Sequence, residues 1–430
     1  MALHGIVNRI FAVHPQAVKP DCSSGDLRFA ELLRLFERRA EVDLVQLSDF
    51  SHASELERLA ALRRYFRGSI WRYDPELLRL KLHLHRYSLA VIEFWHMAEE
   101  VAPRIRRYQP WTKIVVDSVD VHFVRENAAS DLGFMDAAAV AGNKRRELAV
   151  YCQADAVIAV TEADRERLIA EGMATPIFVI PNTVALRLRH EGTRAREVLF
   201  VGGFKHHPNT DGVVWFVNEC WSRVRAEVAD ATLTIVGSNP TEEVRALGAQ
   251  PGVRVEGQVP DTAPYLQRAA VSIAPLRYGG GMKGKVCEAL AASMPLVTTS
   301  EGASGIPLEH RVHAWIADRP DDFAAGVAEC LRHPAVAEAM GSRGQAVIET
   351  LCGEEAVELR VAEFVEAMRA GPPAWPKVTS WAARGSVIVA ASAVRRAAMI
   401  CGARQVRNTI RRFWPSLYNE RTANSENQKS

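Results

Sequence analysis

An α/β chain of two doubly wound domains facing across a cleft, followed by a basic helical tail, is what the sequence predicts. Three observations lead there. Short runs rich in Val, Ile and Leu alternate with longer amphipathic stretches, and runs apolar on both faces mark parallel strands with covered faces. These runs fall into two sets of about six, separated by a polar, basic join at Asn182–Glu197, which is the count expected of two doubly wound sheets. Finally, the charge is asymmetric: Gly371–Ser430 carries ten Lys or Arg against two acids, whereas the preceding 370 residues carry a net charge of −6.

Taken in order, the first-domain strands are expected at Arg9–Val13, Val42–Leu47, Leu89–Phe94, Lys113–Asp117, Ala156–Val160 and Ile177–Ile180. Those of the second domain are expected at Val198–Val201, Thr232–Val236, Val253–Val255, Val271–Ala274, Leu296–Thr299 and Ala314–Ile316. Helical periodicity covers Leu27–Arg38 and Asp211–Val228, and Thr161 with Asp164 reads as a helix cap directly after a strand. The boundaries that follow are 1–185, 186–370 and a tail over 371–430. With 48% apolar and 24% charged residues, the chain can bury enough surface to fold. The most apolar stretch, Val387–Ala403, is short and interrupted by Arg395 and Arg396, which argues against a membrane span. Seven scattered cysteines without a CxxC, and an amino terminus without a signal pattern, predict a cytoplasmic protein with reduced thiols.

In parallel sheets, ligands bind beyond the carboxyl ends of the strands, so function is sought in the loops found there. The most informative one runs from Val271 through Gly279-Gly280-Gly281-Met282-Lys283-Gly284-Lys285 to Glu288. Consecutive glycines allow tight turns and expose N–H groups, and a helix starting near Met282 adds its positive dipole end to Lys283 and Lys285. A phosphate or diphosphate is the anion such a loop suits. The same residues also fit a glycine-rich connector carrying two solvated lysines. A nucleoside-triphosphate loop is disfavoured, because Val286 stands where a magnesium-binding Ser or Thr is needed.

In the first domain, Lys113–Asp117 opens into Ser118-Val119-Asp120-Val121-His122-Phe123-Val124-Arg125. Carboxylates, a histidine and an arginine so close together suggest a reaction site. Asp117 and Asp120 read equally as turn caps, and His122 as a structural histidine. In the second domain, Lys205, His206 and Asn209 follow Gly202-Gly203 and would face the same cleft, or else belong to a plain surface loop. His83-x-His85 and His206-His207 lack further ligands, so no metal site is expected.

The segments Leu199–Asn209, Thr234–Gly237, Gly257–Asp261, the glycine-lysine loop and Thr298–Gly302 together resemble nucleotide-sugar glycosyltransferases of family 4. These are retaining enzymes with two Rossmann-like domains, a fold known as GT-B, and one branch carries a GxGxKGK-type donor loop. The resemblance covers about residues 5 to 370 and is strongest from Val198 to Ile306. It implies that Glu288 binds the donor ribose and that His122 faces donor sugar and acceptor. It also implies that Ser24 and Gly25 form a small-residue loop near the phosphates or acceptor; Ser24 equally suits an N-cap. Gly280, Gly281, Met282, Lys283 and Lys285 would line the donor site together with Gly203, Lys205, His206 and Asn209. The chain departs from the family at position 280, glycine in place of the first of two glutamates, and it lacks the usual Arg and Lys after the second domain's first strand. Lys283 and Lys285 would supply that charge.

The expectation is therefore a retaining, metal-independent glycosyltransferase without a cofactor. Its donor would be a nucleotide-diphosphate sugar and its acceptor a glycan or lipid-linked glycan. An epimerase of similar build, or a degenerate nucleotide-sugar-binding protein, are the alternatives. In the tail, residues 387–414 read as a basic amphipathic helix that would hold the protein to the inner face of an anionic membrane, or else pack on the acidic body. Nucleic acid is not expected as a partner, since no recognition motif accompanies the basic charge.

Overall fold

A computed structural model describes residues 9–21, 23–46, 59–187 and 195–370. The amphipathic segment expected over 387–414 lies outside the described residues.

The first domain runs β1 (Arg9–His14), α1 (Ser24–Glu37), β2 (Glu41–Gln46), β3 (Ser69–Arg72), α2 (Pro75–Leu84), β4 (Leu89–Glu93) and α3 (Trp95–Tyr108). It continues through β5 (Lys113–Asp117), α4 (His122–Asp131), α5 (Ala137–Gln153), β6 (Ala156–Ala159), α6 (Glu162–Ala170) and β7 (Ile177–Val179). Its strands form one sheet in the order β3-β2-β1-β4-β5-β6-β7, every neighbouring pair parallel. The second domain begins with β8 (Glu197–Val201), α7 (His207–Trp215), α8 (Trp221–Glu227), β9 (Thr232–Val236), α9 (Glu242–Ala246), β10 (Val253–Gly257) and α10 (Ala263–Arg268). Then come β11 (Val271–Ala274), α11 (Gly284–Ala291), β12 (Leu296–Thr298), α12 (Ser300–Ala303), β13 (Trp315–Ile316), α13 (Pro320–Arg332), α14 (Pro334–Cys352) and α15 (Glu354–Ala370). Its sheet order is β10-β9-β8-β11-β12-β13. Both sheets thus reverse direction beside their first strand, the doubly wound arrangement that opens a crevice at the reversal.

The expected strands are present, and the cap at Thr161 is too: its side chain accepts from the Asp164 N–H. β3 was not anticipated, because Ser-Ile-Trp-Arg at a sheet edge is neither fully apolar nor alternating. The helix expected over Asp211–Val228 starts earlier, with Pro208 in its first turn, and is interrupted by a π-turn at Phe216–Cys220. A larger difference concerns α15. Although last in sequence, it places Val357, Val361, Phe364 and Val365 in the first domain's core beside Phe36 and Phe178. Arg34 and Arg38 pair with Glu354, and Lys113 Nζ donates to the Met368 carbonyl at 2.6 Å. The chain therefore crosses back, and its last described helix is anchored on the first domain.

Candidate active site in the interdomain cleft

The carboxyl edges of the two sheets face each other closely. At Gly281, whose φ is +58°, an added Cβ would lie 2.7 Å from the Val119 carbonyl oxygen, and at Gly280 it would lie 2.6 Å from Asp120 Oδ2. At Gly284, the first residue of α11, it would lie 2.5 Å from Ser24 Cβ. Glycine at these positions lets loops from opposite domains touch. Ser24, the first residue of α1, thus sits against the start of α11. The N-cap itself is Ser23, which accepts from the Asp26 N–H.

The second-domain wall presents backbone and lysines. Lys283 is the N-cap of α11, whose first residue Gly284 is two residues later than the start expected near Met282, and its side chain offers no cap. The Val286 and Cys287 N–H groups donate to the Lys283 carbonyl, which leaves the Gly284 and Lys285 amides for an anion. Met282 itself turns into the core, with its sulfur 3.5 Å from Cys352 Sγ. Lys283 Nζ is held 2.8 Å from Glu301 Oε1 and donates to the Gly281 carbonyl at 3.0 Å. Lys285 reaches the Asn209 amide oxygen and lies 5.2 Å from the Phe200 ring centroid. Burial, and then the charge of Lys283, push the Lys285 ammonium down to about 7. Asn209 is fixed by donating to the Gly203 carbonyl at 2.6 Å. Lys205 and His206 are both exposed. Surrounding protein, then Lys285 and Arg125, lower the His206 imidazole and keep it neutral. One turn beyond the loop, Glu288 Oε1 accepts from Thr262 Oγ1 at 2.6 Å and remains partly exposed.

The first-domain wall is a set of buried titratable groups. α4 has no side-chain cap of its own; Glu147 from α5 accepts the His122 and Phe123 N–H groups, each at 2.9 Å, together with the Tyr151 hydroxyl. Buried donors thus converge on one carboxylate, which anchors the amino end of the helix. His122 Nδ1 accepts from the Trp95 indole N–H at 3.1 Å. Indole nitrogen only donates, so the His122 proton in the neutral ring is on Nε2, 3.1 Å from Asp120 Oδ1 and without an aligned partner. Burial alone would raise the Asp120 carboxyl; Arg125, and then His122, hold it below the ordinary range. Val119 and Phe94 have φ of 60° and 65° at the ends of β5 and β4. A β-branched residue in that region carries strain, and such strain concentrates at functional sites.

Asp117, expected beside His122 in the reaction site, instead forms a fully buried ion pair with Arg28 NH1 at 2.6 Å, and Arg28 also donates to the Ile180 carbonyl. The cause is α1, which carries Arg28 under the end of β5. Gly25, next to Ser24, lies within the first turn of that helix. Several cleft groups were not singled out from sequence. Glu301 stood in the Thr298–Gly302 segment without a role, and Trp95 and Glu147 sit in helices that gave no signal at all. His14 is another: its Nε2 lies 2.5 Å from Glu93 and 3.8 Å from Asp26 where the first sheet reverses. Burial opposes protonation of His14, but Glu93 and Asp26 overcome it and raise its pKa. Among the described residues, no group of three or more His, Cys, Asp or Glu could hold a metal ion.

Two doubly wound domains joined at their carboxyl edges define the GT-B fold. Residues 195–333 match the family model of glycosyl transferases group 1. Among solved structures, the chain is similar to sucrose-phosphate synthase from Thermosynechococcus elongatus, with a TM-score of 0.66 and 17% identity over 84% of this chain and 99% of that one. It is also similar to Staphylococcus aureus TarM in complex with fondaparinux, α-GlcNAc-glycerol and UDP (TM-score 0.67, 9% identity, 83% and 99% coverage). Anabaena HepE in complex with UDP-glucose is a third (TM-score 0.63, 15% identity, 84% and 99% coverage). At these identities the likeness establishes the fold. No curated protein matches the chain.

Proposed function

We propose that the protein is a retaining glycosyltransferase that moves a sugar from a nucleotide-diphosphate donor to a glycan or lipid-linked acceptor. The observation that carries this reading is the start of α11. Free helix amides, Lys285 and Lys283 converge there, facing Ser24 of the other domain. Breaking the glycosidic bond leaves negative charge on a diphosphate, and preorganised N–H groups with adjacent ammonium groups stabilise it as it forms. Those same groups take the part a divalent cation plays elsewhere, which supports metal-independent transfer. Glu288, partly exposed beyond the helix start, is suited to the ribose hydroxyls. The His122 Nε2–H and the Asp120 carboxylate are suited to sugar hydroxyls on the opposite wall. Gly203, Lys205, His206 and Asn209 border the phosphate region, and Asn209 orients Lys285. Retention, and family 4 membership in particular, rest on the resemblance of the donor loop. TarM and HepE, solved with UDP or a UDP-sugar, add support for a nucleotide-sugar donor.

The test is a thermal-shift screen with UDP, GDP, ADP and dTDP, followed by product analysis with sugars carried on the nucleotide that stabilises. A ligand at a hundred times its Kd raises stability by about 2.7 kcal/mol, enough to single out the right base. One nucleotide should stand out, and the anomeric proton of its product should report retention. Equal response to every nucleotide and to inorganic diphosphate would overturn the reading.

A further inference from the structure

α2 buries Leu78 and Leu82 in the first domain's core, yet it leaves three further leucines outside. Beside those two leucines the inward face also carries a lysine: Lys81 is 3% exposed, its Nζ 2.9 Å from Asp43 Oδ1 and 3.9 Å from the Trp71 ring centroid. Asp43 also accepts from the Tyr87 hydroxyl at 2.7 Å. Outward stand Leu77, Leu80 and Leu84, 40%, 49% and 62% exposed. Spacings of three and four residues put them on one side of the helix, a ridge of about 10 Å. The buried Lys81–Asp43 pair fixes the helix rotation, so the leucines cannot turn inward without stranding a charge.

The surroundings of the ridge are basic and aromatic. Apart from the buried Lys81, the stretch from Leu59 to Ser88 has six Arg against two acids. Arg79 and Arg86 are exposed beside the leucines, Arg79 near Glu76 and Arg86 stacked 4.7 Å over Trp111. Gln109 donates to the Leu82 and His85 carbonyls, tying Trp111 and Tyr108 to the carboxyl end of α2. We propose that this ridge is a docking face for an anionic lipid bilayer, with the leucines entering the interface and Arg79 and Arg86 meeting headgroup phosphates. Aliphatic side chains flanked by arginine and interfacial aromatics suit that boundary. A second copy of the chain on the same face would set two basic surfaces against each other. Because α2 follows β3, its amino end lies at the carboxyl edge of the sheet, the edge that borders the cleft. On the proposed transfer reading, a lipid-linked acceptor in the bilayer would stand beside the cleft.

The experiment is sedimentation of the full chain with vesicles of phosphatidylcholine alone or mixed with phosphatidylglycerol, at low and high salt. Vesicle binding is read without turnover, so its outcome is separate from that of the transfer reading. The wild type should bind the mixed vesicles at low salt and weaken at high salt. The combined variant Leu77→Gln, Leu80→Gln, Leu84→Gln should lose about tenfold in partitioning, and Arg79→Glu with Arg86→Glu at least as much. The basic tail is present in every variant, so its contribution cancels. The substituted side chains are exposed, and unchanged thermal melts would confirm intact folds. Wild-type binding by the leucine variant, or no preference for anionic vesicles, overturns the proposal. So does a wild-type dimer that the leucine variant dissociates while vesicle binding stays the same.

Discussion

The two walls of the cleft are built from opposite materials. The second-domain wall is a helix start, glycines and lysines, groups that carry fixed positive charge or partial charge. The first-domain wall is His122, Asp120 and Arg125, supported from behind by Trp95 and Glu147. Fixed charge is suited to holding a diphosphate through bond cleavage. A histidine whose Nδ1 is occupied by an indole N–H, beside a carboxylate held below its ordinary range, is suited to orienting hydroxyls. On the proposed reading, the difference teaches that binding and transfer would be separable, because each wall belongs to a different domain.

The largest expected effect would break the comparison at its foundation. Asp117 and Arg28 are fully buried partners beneath the first wall, and removing one leaves the other charged in the interior. Arg28→Met should cost about 3–5 kcal/mol of stability, measured by denaturant unfolding, with no change in donor affinity for the folded fraction. A stable variant with impaired turnover would instead place Asp117 at the reaction centre.

Next comes the contact between the walls. Gly281→Ala would put a Cβ against the Val119 carbonyl and strain a left-handed backbone. Misplacement of about 1 Å should lower turnover about 100-fold, while the melting temperature moves little. Wild-type turnover would show that the walls need not meet this closely.

A smaller effect concerns pH and sharpens the role of the lysine wall. Lys285 is lowered to about 7 when the site is empty, and a bound diphosphate would restore its proton. Donor affinity should therefore be level below that pH and fall about tenfold per unit above it, until the pKa of the complex is reached. Lys285→Arg should flatten the profile, since arginine stays charged. For the empty protein the sign is opposite: a lysine lowered by folding leaves the unfolded chain binding more protons, so stability rises between pH 7 and about 10.4. A flat wild-type affinity profile would remove Lys285 from the phosphate site.

Much of this was legible in sequence because it is local. Strand runs, the Thr161 cap and the glycine-lysine loop are patterns within ten or twenty residues, set by pleat, capping and turn chemistry. The parts that were not legible are long-range. Arg28 and Asp117 are 89 residues apart, and no spacing rule tells a carboxylate facing the cleft from one paired beneath it. His122 could be selected, but the Trp95 partner that fixes its tautomer could not. Nothing within α15 itself tells that its apolar face packs on the other domain. Lys283 and Lys285 read as equivalent from sequence. In the structure Lys283 is matched by Glu301, whereas Lys285 has a neutral amide and an aromatic ring for company.

The division of labour between the walls is tested most directly by one paired titration. Calorimetric affinity for the stabilising nucleoside diphosphate and turnover of its sugar are measured on wild type, Lys285→Ala and His122→Ala. Lys285→Ala should lose about 1.5–3 kcal/mol of nucleotide affinity through loss of a charge-assisted contact. His122→Ala should bind the nucleotide as wild type does and lose turnover. Equal affinity in Lys285→Ala, or an affinity loss in His122→Ala that matches its loss of turnover, would contradict the assignment.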